Sequence, residues 1–337
     1  MIKDAVQTLI AGDTLTRDQS YLALMDIMRG EATQAQIGAL ISALRMHGET
    51  PEIIAGAAQA MRESMVKVRC DDPNAVDIVG TGGDGAHTFN ISTASAFVTA
   101  GAGVTVAKHG SYGVSSKCGA ANVLSELGIN LQCSPQKVEK CLNRLGIAFL
   151  FAPAMHPAMK HVVGPRKELG FWSLFNILGP LCNPAGVTSG VLGVFSADLV
   201  PVIADACAQL GARTLFVVHG NDGLDELTTT TTTLVTEIRR GKLETYEVQP
   251  TGFGFSRALT VDITGGAPAE NAVIVRSILE GKEKGAKRDI VLLNSAFAIM
   301  ASGKVQTPQE GIDLAAESID SGAALQKLKQ LAAASQE

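Results

Sequence analysis

Residues 76–101 constrain this chain more than any other stretch. Val76, Ile78 and Val79 make a short apolar run, Gly80-Thr81-Gly82-Gly83-Asp84-Gly85 follows at once, and beyond Asn90 the segment TASAFVTAGAG has helical composition. Strand, glycine turn and helix form the repeating unit of α/β folds, because a parallel strand can be rejoined only through a crossover connection, usually a helix. The alternation continues: 104–107, 147–151, 187–195 and 214–218 read as strands, and 120–127 and 199–210 as helices.

The flanks follow a different period. Apolar residues at three and four spacing, among them Leu24, Met25, Met28, Ile37, Leu40, Ile41 and Leu44, predict short helices through about residue 70. Thr50-Pro51-Glu52 has the form of a cap with proline at the first helical position. The segment 156–184, interrupted by Pro157, Pro165 and Pro180, is too punctuated for one helix and is expected to return to the N-terminal helices. The tail has helical periodicity over 272–301 and 308–333, and the β-branched run at 228–233 suits a strand. The expected α/β architecture is therefore a small helical domain, 1–70, with a return segment around 156–184, and a larger α/β domain, 71–337, built on a central sheet. No repeat of 20 to 50 residues is present, which argues against a solenoid.

The 28 basic and 33 acidic residues leave a net charge of −5, so a basic nucleic-acid surface is not expected and an anionic ligand must be held locally. No window approaches 18 uninterrupted apolar residues, and no membrane contact is expected. Cys70, Cys118, Cys133, Cys141, Cys182 and Cys207 form no C-x-x-C pair, and the first residues lack a basic run followed by a long apolar one. They read as reduced thiols in a cytoplasm.

Four motifs carry chemistry. Glycines at 80, 82, 83 and 85 let backbone N–H groups turn toward one point, which with the following helix start makes an anion cradle. The turn matches neither G-x-x-x-x-G-K-[ST] nor G-x-G-x-x-G, against a P-loop or dinucleotide site. Asn90-Ile91-Ser92-Thr93 places polar groups just before a helix, either as a simple N-cap or to hold phosphate oxygens or a metal shell. Lys108-His109-Gly110 followed by Ser111-Tyr112-Gly113-Val114-Ser115-Ser116 offers charge and donors along a loop. Finally, Asp225 and Glu226 in Asp222-Gly223-Leu224-Asp225-Glu226 would repel each other unless solvated or bridged by a hard cation such as Mg²⁺.

The ordered set GTGGDG, NIST, K-H-G with V-S-S-K, H-P-A-M-K-H, R-K-E-L-G, F-N-I-L-G-P-L-C-N-P and D-G-L-D-E strongly resembles the anthranilate phosphoribosyltransferase family over essentially the whole chain. The resemblance implies a homodimer that uses phosphoribosyl diphosphate (PRPP) with Mg²⁺. Matched by position, Gly80, Gly83, Asp84, Thr88, Asn90, Ile91, Ser92, Thr93, Lys108, His109, Gly110, Ser111, Gly113, Ser115, Ser116 and Ala120 would bind PRPP. Ser92, Asp225 and Glu226 would hold Mg²⁺. Gly80, His109, Ser111, Arg166 and Pro180 would border the aromatic acceptor, anthranilate, whose carboxylate pairs with Arg166. No protein nucleophile is expected.

Several positions depart from the family pattern. Ser111 and Tyr112 stand where Asn and Arg are usual, Gly164-Pro165 where Pro-Val is common, Phe171-Trp172 where Ile-Arg is usual, and Ala120 where a serine often donates toward PRPP. Most of these lie beside acceptor segments, so transfer to a different aromatic acid is the alternative. A pyrimidine-nucleoside phosphorylase and a non-catalytic binding homologue are more distant readings, disfavoured by the glycine and carboxylate motifs.

Overall fold

The computed structural model describes residues 1–113 and 118–337. Ser115 and Ser116 lie outside the described residues.

Seven strands form one sheet: β1 Val76–Gly80, β2 Val106–Gly110, β3 Ile147–Phe151, β4 Ser189–Gly193, β5 Thr214–Gly220, β6 Thr233–Arg239 and β7 Lys242–Val248. Their order is β3-β2-β1-β4-β5-β6-β7. The first five are mutually parallel, while β5, β6 and β7 pair antiparallel. β3 and β4 are buried along their whole length, as parallel strands covered on both faces must be. β7, KLETYEV, is largely exposed and closes the sheet with charged residues that blunt its free edge. It joins β6 through Arg240 and Gly241, both at positive φ (52° and 75°), the conformation that a two-residue hairpin turn requires.

One face of the sheet is covered by a core that includes Phe97, Phe149, Phe216 and Phe297, contributed in part by helices Ile91–Gly101 and Ala286–Ala301. The other core joins helices Ile2–Ile10, Arg17–Met28, Gln34–His47 and Pro51–Ser64 to Val162, Leu174, Phe175, Ile177 and Leu178 of the later helices Lys160–Leu169 and Leu174–Leu181. The same core continues through Val200, Ile203 and Ala204 of helix Leu199–Gln209 to Leu192, Val217 and Ile238 on the sheet. Thr50 caps the fourth helix by accepting from the Ile53 N–H at 3.3 Å, with Pro51 at the first helical position.

Two expectations are corrected. The 228–233 run is a loop up to β6, which starts at Thr233. The Thr228 and Thr230 hydroxyls both donate to Asp222 Oδ2, and the Thr228 N–H donates to Thr233 Oγ1, so side chains satisfy the segment in place of a strand ladder. The 272–301 pattern is split into Pro268–Leu279 and Ala286–Ala301, and the tail into Pro308–Asp320 and Ala323–Gln336. β7 is absent from the sequence reading because its exposed alternation carries little apolar signal.

Candidate active site

The sheet reverses its strand order between β1 and β4, and in open α/β sheets ligands bind at the carboxyl ends of strands beside such a reversal. There Gly80 of β1 pairs in register with Gly193 of β4. Both must be glycine, because the loop after β5 lies directly on them. A Cβ at Gly80 would fall 2.1 Å from Asp225 Oδ2, and one at Gly193 only 1.6 Å from the Asp225 carbonyl oxygen. Bare strand ends therefore let the carboxylate loop descend onto the sheet.

Once there, the two carboxylates take the N–H groups that the sequence reading reserved for anions. Gly82 N–H donates to Asp225 Oδ2 at 2.7 Å, and Ser92 N–H, in the first turn of helix Ile91–Gly101, donates to Glu226 Oε1 at 3.1 Å. These bonds favour the ionised forms, yet the surroundings oppose them more strongly. Burial, and then the negative charge of Asp84, push Asp225 up to about 7. Glu226 is raised well above the carboxylate range by burial and by Asp225, against a downward pull from Lys108. A divalent cation would relieve this crowding. The two carboxylates, with Ser92 bound to Glu226 through its N–H and carrying a hydroxyl of its own, offer hard oxygens of the kind Mg²⁺ prefers, so the residues fit that ion. Among the described residues no three His, Cys, Asp or Glu side chains are arranged to hold a metal ion by themselves. An ion held here would complete its shell from water and ligand oxygens.

Lys108, expected at the end of a strand ahead of a donor loop, is not exposed there. It is buried within β2, and its Nζ donates to the Ile78 carbonyl at 2.6 Å. Burial lowers its pKa while Asp77, Glu226 and Asp225 raise it, so its charge acts on the carboxylates from beneath the site. Beside it, Asp77 ties three segments together. Its Oδ1 accepts from the Ile78 and His109 N–H groups at 2.8 and 3.1 Å, and its Oδ2 from Asn183 Nδ2 at 2.7 Å. Asn183 also donates to the Ala107 carbonyl at 2.8 Å. The sequence reading missed Asp77, Asn183 and Gly193; a lone acid inside the apolar run VDIVG was the available signal for the first.

His109 is buried, with Nε2 3.2 Å from His156 Nε2, so one ring donates and the other accepts. Burial holds both neutral. His109 is pushed down to about 3, with His156 and Lys108 adding to the effect, and His156 down to about 4. Unfolded, each titrates near 6.5, so the unfolded chain binds more protons below that pH. Their contribution to stability is complete above about 6.5 and is lost as pH falls toward 4. Asp77, raised to about 6 by burial, works in the opposite sense over part of that range, because its protonated form is favoured when folded. We therefore expect His156→Gln to make the decline in melting temperature between pH 6.5 and 4.5 shallower than in the wild type. An unchanged slope would assign the acid sensitivity elsewhere.

The remaining predicted residues divide by accessibility. Gly83 and Asp84 lie on the open turn, and Thr88 forms an isolated antiparallel bridge with Thr264. Ile91 and Thr93 are buried in the helix, so their side chains face the core. Asn90 does not cap that helix; its side chain donates to the Cys118 carbonyl and accepts from Asn271 Nδ2, both at 3.0 Å. Gly110 backs onto Phe149 and Ala120, Ser111 accepts at its carbonyl from Ala121 N–H, and Gly113 N–H donates to Asn122 Oδ1. Arg166 donates to Asn176 Oδ1 at 3.3 Å, with its guanidinium carbon 5.8 Å from the Phe175 ring centre. Pro180 lies inside helix Leu174–Leu181.

Comparison with known proteins gives the same architecture. The glycosyl transferase family a/b domain matches residues 72–325, and the helical bundle domain of that family matches 3–65. An anthranilate phosphoribosyltransferase from Desulfosudis oleivorans is 50% identical over 331 residues, covering 98% of both chains. The crystal structure of the Thermus thermophilus anthranilate phosphoribosyltransferase aligns with a TM-score of 0.94 at 41% identity, covering 99% of this chain and all of that one. The Saccharomyces cerevisiae enzyme in complex with PRPP and Mg aligns with a TM-score of 0.91 at 31% identity, covering 99% and 98%.

Proposed function

The chain belongs to the anthranilate phosphoribosyltransferase family, and on that premise we propose that it transfers the phosphoribosyl group of PRPP to the amine of anthranilate. The products are N-(5-phosphoribosyl)anthranilate and diphosphate, a step of tryptophan biosynthesis. The observation that carries the reading is the descent of Asp225 and Glu226 onto the anion-seeking N–H groups of the glycine turn and helix start.

In this reading the diphosphate lies over the turn, against Gly80, Gly83, Asp84 and Thr88 and the backbone at 90–93. The stretch from Gly110 through Ser111 and Gly113, with Ala120 behind it, borders the ribose phosphate. Asp225, Glu226 and Ser92 hold Mg²⁺, which offsets the negative charge that gathers on the leaving diphosphate. Breaking the anomeric C–O bond leaves positive charge on the ribose, and the acceptor amine, nucleophilic when neutral, attacks the opposite face. No side chain needs to form a covalent intermediate. The chain's work is electrostatic and positional: the turn fixes the donor, and Arg166 fixes the acceptor carboxylate in a charge-assisted pair. Burial lowers the Arg166 pKa, and a bound carboxylate would offset that cost. Lys108, bonded to the Ile78 carbonyl, offsets the charge of the two carboxylates from below, and neutral His109 with His156 forms the inner wall near Pro180.

We assign the enzyme to the cytoplasm, in keeping with its six free cysteines. We also read it as a homodimer, in keeping with exposed Met46 and Val163 on the helical layer. Ser111, Tyr112 and Trp172 favour a second reading of the acceptor alone, a different aromatic acid. The deciding experiment supplies PRPP and Mg²⁺ with a panel of aromatic acids and follows diphosphate release. Anthranilate is expected to support turnover that a chelator abolishes. Turnover only with another acid would replace the acceptor, whereas phosphate-dependent cleavage of thymidine would replace the reaction.

A further inference from the structure

Trp172, the only tryptophan in the chain, carries a donor that the fold leaves unused. Its ring packs at 61° to Phe195 with centroids 4.3 Å apart, and the Arg45 guanidinium carbon lies 6.0 Å from the ring centre. Its Nε1–H is buried and has no hydrogen-bond partner. A buried indole N–H ordinarily finds an acceptor, so this one is costly unless something else supplies it.

What lies before that donor is the glycine turn. A Cβ on Gly83 would sit 3.5 Å from Nε1 and 3.8 Å from Cδ1. Gly83 has none, and with φ at +86° a side chain there would be strained in any case. The bare backbone of Gly83 thus lies along the indole edge, and the N–H is closed to a water-sized atom, so an acceptor reaches it only as the turn or the ring shifts. Against the ring pack the Phe195 phenyl and the Arg45 guanidinium. The indole thus brings an unpaired donor and a nearby positive charge to the glycine turn.

We propose that Trp172 contacts substrate and sets specificity, its indole N–H donating to an anionic oxygen that settles against Gly83. The oxygen is a phosphoryl oxygen of PRPP or the carboxylate of the aromatic acid; the inference rests on the reading of this cleft given above. Arg45 belongs to helix Gln34–His47 of the helical layer, so the contact joins that layer to the turn across the cleft.

Because no other tryptophan is present, emission from the wild-type protein reports this indole alone. It is titrated with PRPP plus Mg²⁺, with diphosphate plus Mg²⁺, and with benzoate, which brings a carboxylate without anthranilate's own fluorescence. A saturable change with the first two assigns the phosphoryl oxygen, and a change with benzoate assigns the carboxylate. Trp172→Phe, which keeps a ring and removes the N–H, is expected to raise KM for the corresponding substrate about tenfold while kcat stays within about twofold. Gly83→Ala, which sets a methyl against the indole edge, is expected to raise the same KM. Emission unmoved by all three ligands while calorimetry registers PRPP binding would overturn the proposal and leave the functional reading intact. So would a Trp172→Phe variant that melts lower but keeps both KM values. If calorimetry registers no PRPP at all, the functional reading fails and this inference fails with it.

Discussion

Asp225→Asn combined with Glu226→Gln is expected to lower PRPP-dependent diphosphate release by about 10³-fold or more, because it removes both carboxylates proposed to hold the cation while keeping their shape. The fold should survive. The amide oxygens still accept from Gly82 and Ser92, and the repulsion among Asp84, Asp225 and Glu226 that pushes the latter two upward disappears. Melting temperature is therefore expected to hold or rise as activity vanishes, and calorimetry should show that added Mg²⁺ no longer strengthens PRPP binding. Full activity in the double variant would remove the metal-holding role from these residues. A folded, inactive variant with undiminished Mg²⁺-dependent binding would shift the role of the pair from holding the ion to some later step.

Gly193→Ala is the second large effect, and it acts without touching a charged group. The added methyl would lie 1.6 Å from the Asp225 carbonyl oxygen, a contact that no rotamer change can relieve because backbone meets backbone. Either β4 or the loop carrying Asp225 and Glu226 must move by more than an ångström. Displacements of that order in a positioned group cost about 10²-fold in rate. The expected result is at least that loss in kcat, with a lowered melting temperature. The matched control is Gly186→Ala, where a Cβ meets nothing within 4 Å; positive φ there (66°) gives strain without a clash on the site. Comparable kcat loss in both variants would mean that the close approach at Gly193 is not what positions the carboxylates.

How far the sequence could be read depended on whether a residue's purpose was local. Strand 147–151, the helix from 199 and the Thr50 cap were legible because period, punctuation and capping are properties of neighbours in sequence. The prolines of 156–184 exclude a single long helix, whereas the packing of Val162 and Leu174–Leu181 against the N-terminal helices is a property of space that no local pattern carries. The glycine turn and the Asp225-Glu226 pair stood out by composition. Gly193 did not, since its requirement comes from a loop more than thirty residues away. Asp77 looked like an interruption in a strand, and only the pairing of β1 with its neighbours and the approach of Asn183 show it as a junction. Lys108 follows the same logic: the sequence shows a lysine before glycines and hydroxyls, but not that its ammonium would be buried against the Ile78 carbonyl of the adjacent strand. The threonine run was assigned by propensity, and Asp222 overrode propensity by offering its carboxylate to two of the hydroxyls.

The helical layer is assembled from stretches far apart in the chain, and the links between layers are stitched together: Val66 N–H donates to the Met155 carbonyl at 2.8 Å, and Val68 N–H to the Pro184 carbonyl at 3.0 Å. Module boundaries drawn along the sequence therefore do not coincide with boundaries in space. A chimera that exchanges residues 3–65 between two relatives transplants one side of a zipper and leaves the other, at 160–181 and 199–209, with its original teeth. Successful recombination has to carry all three stretches together.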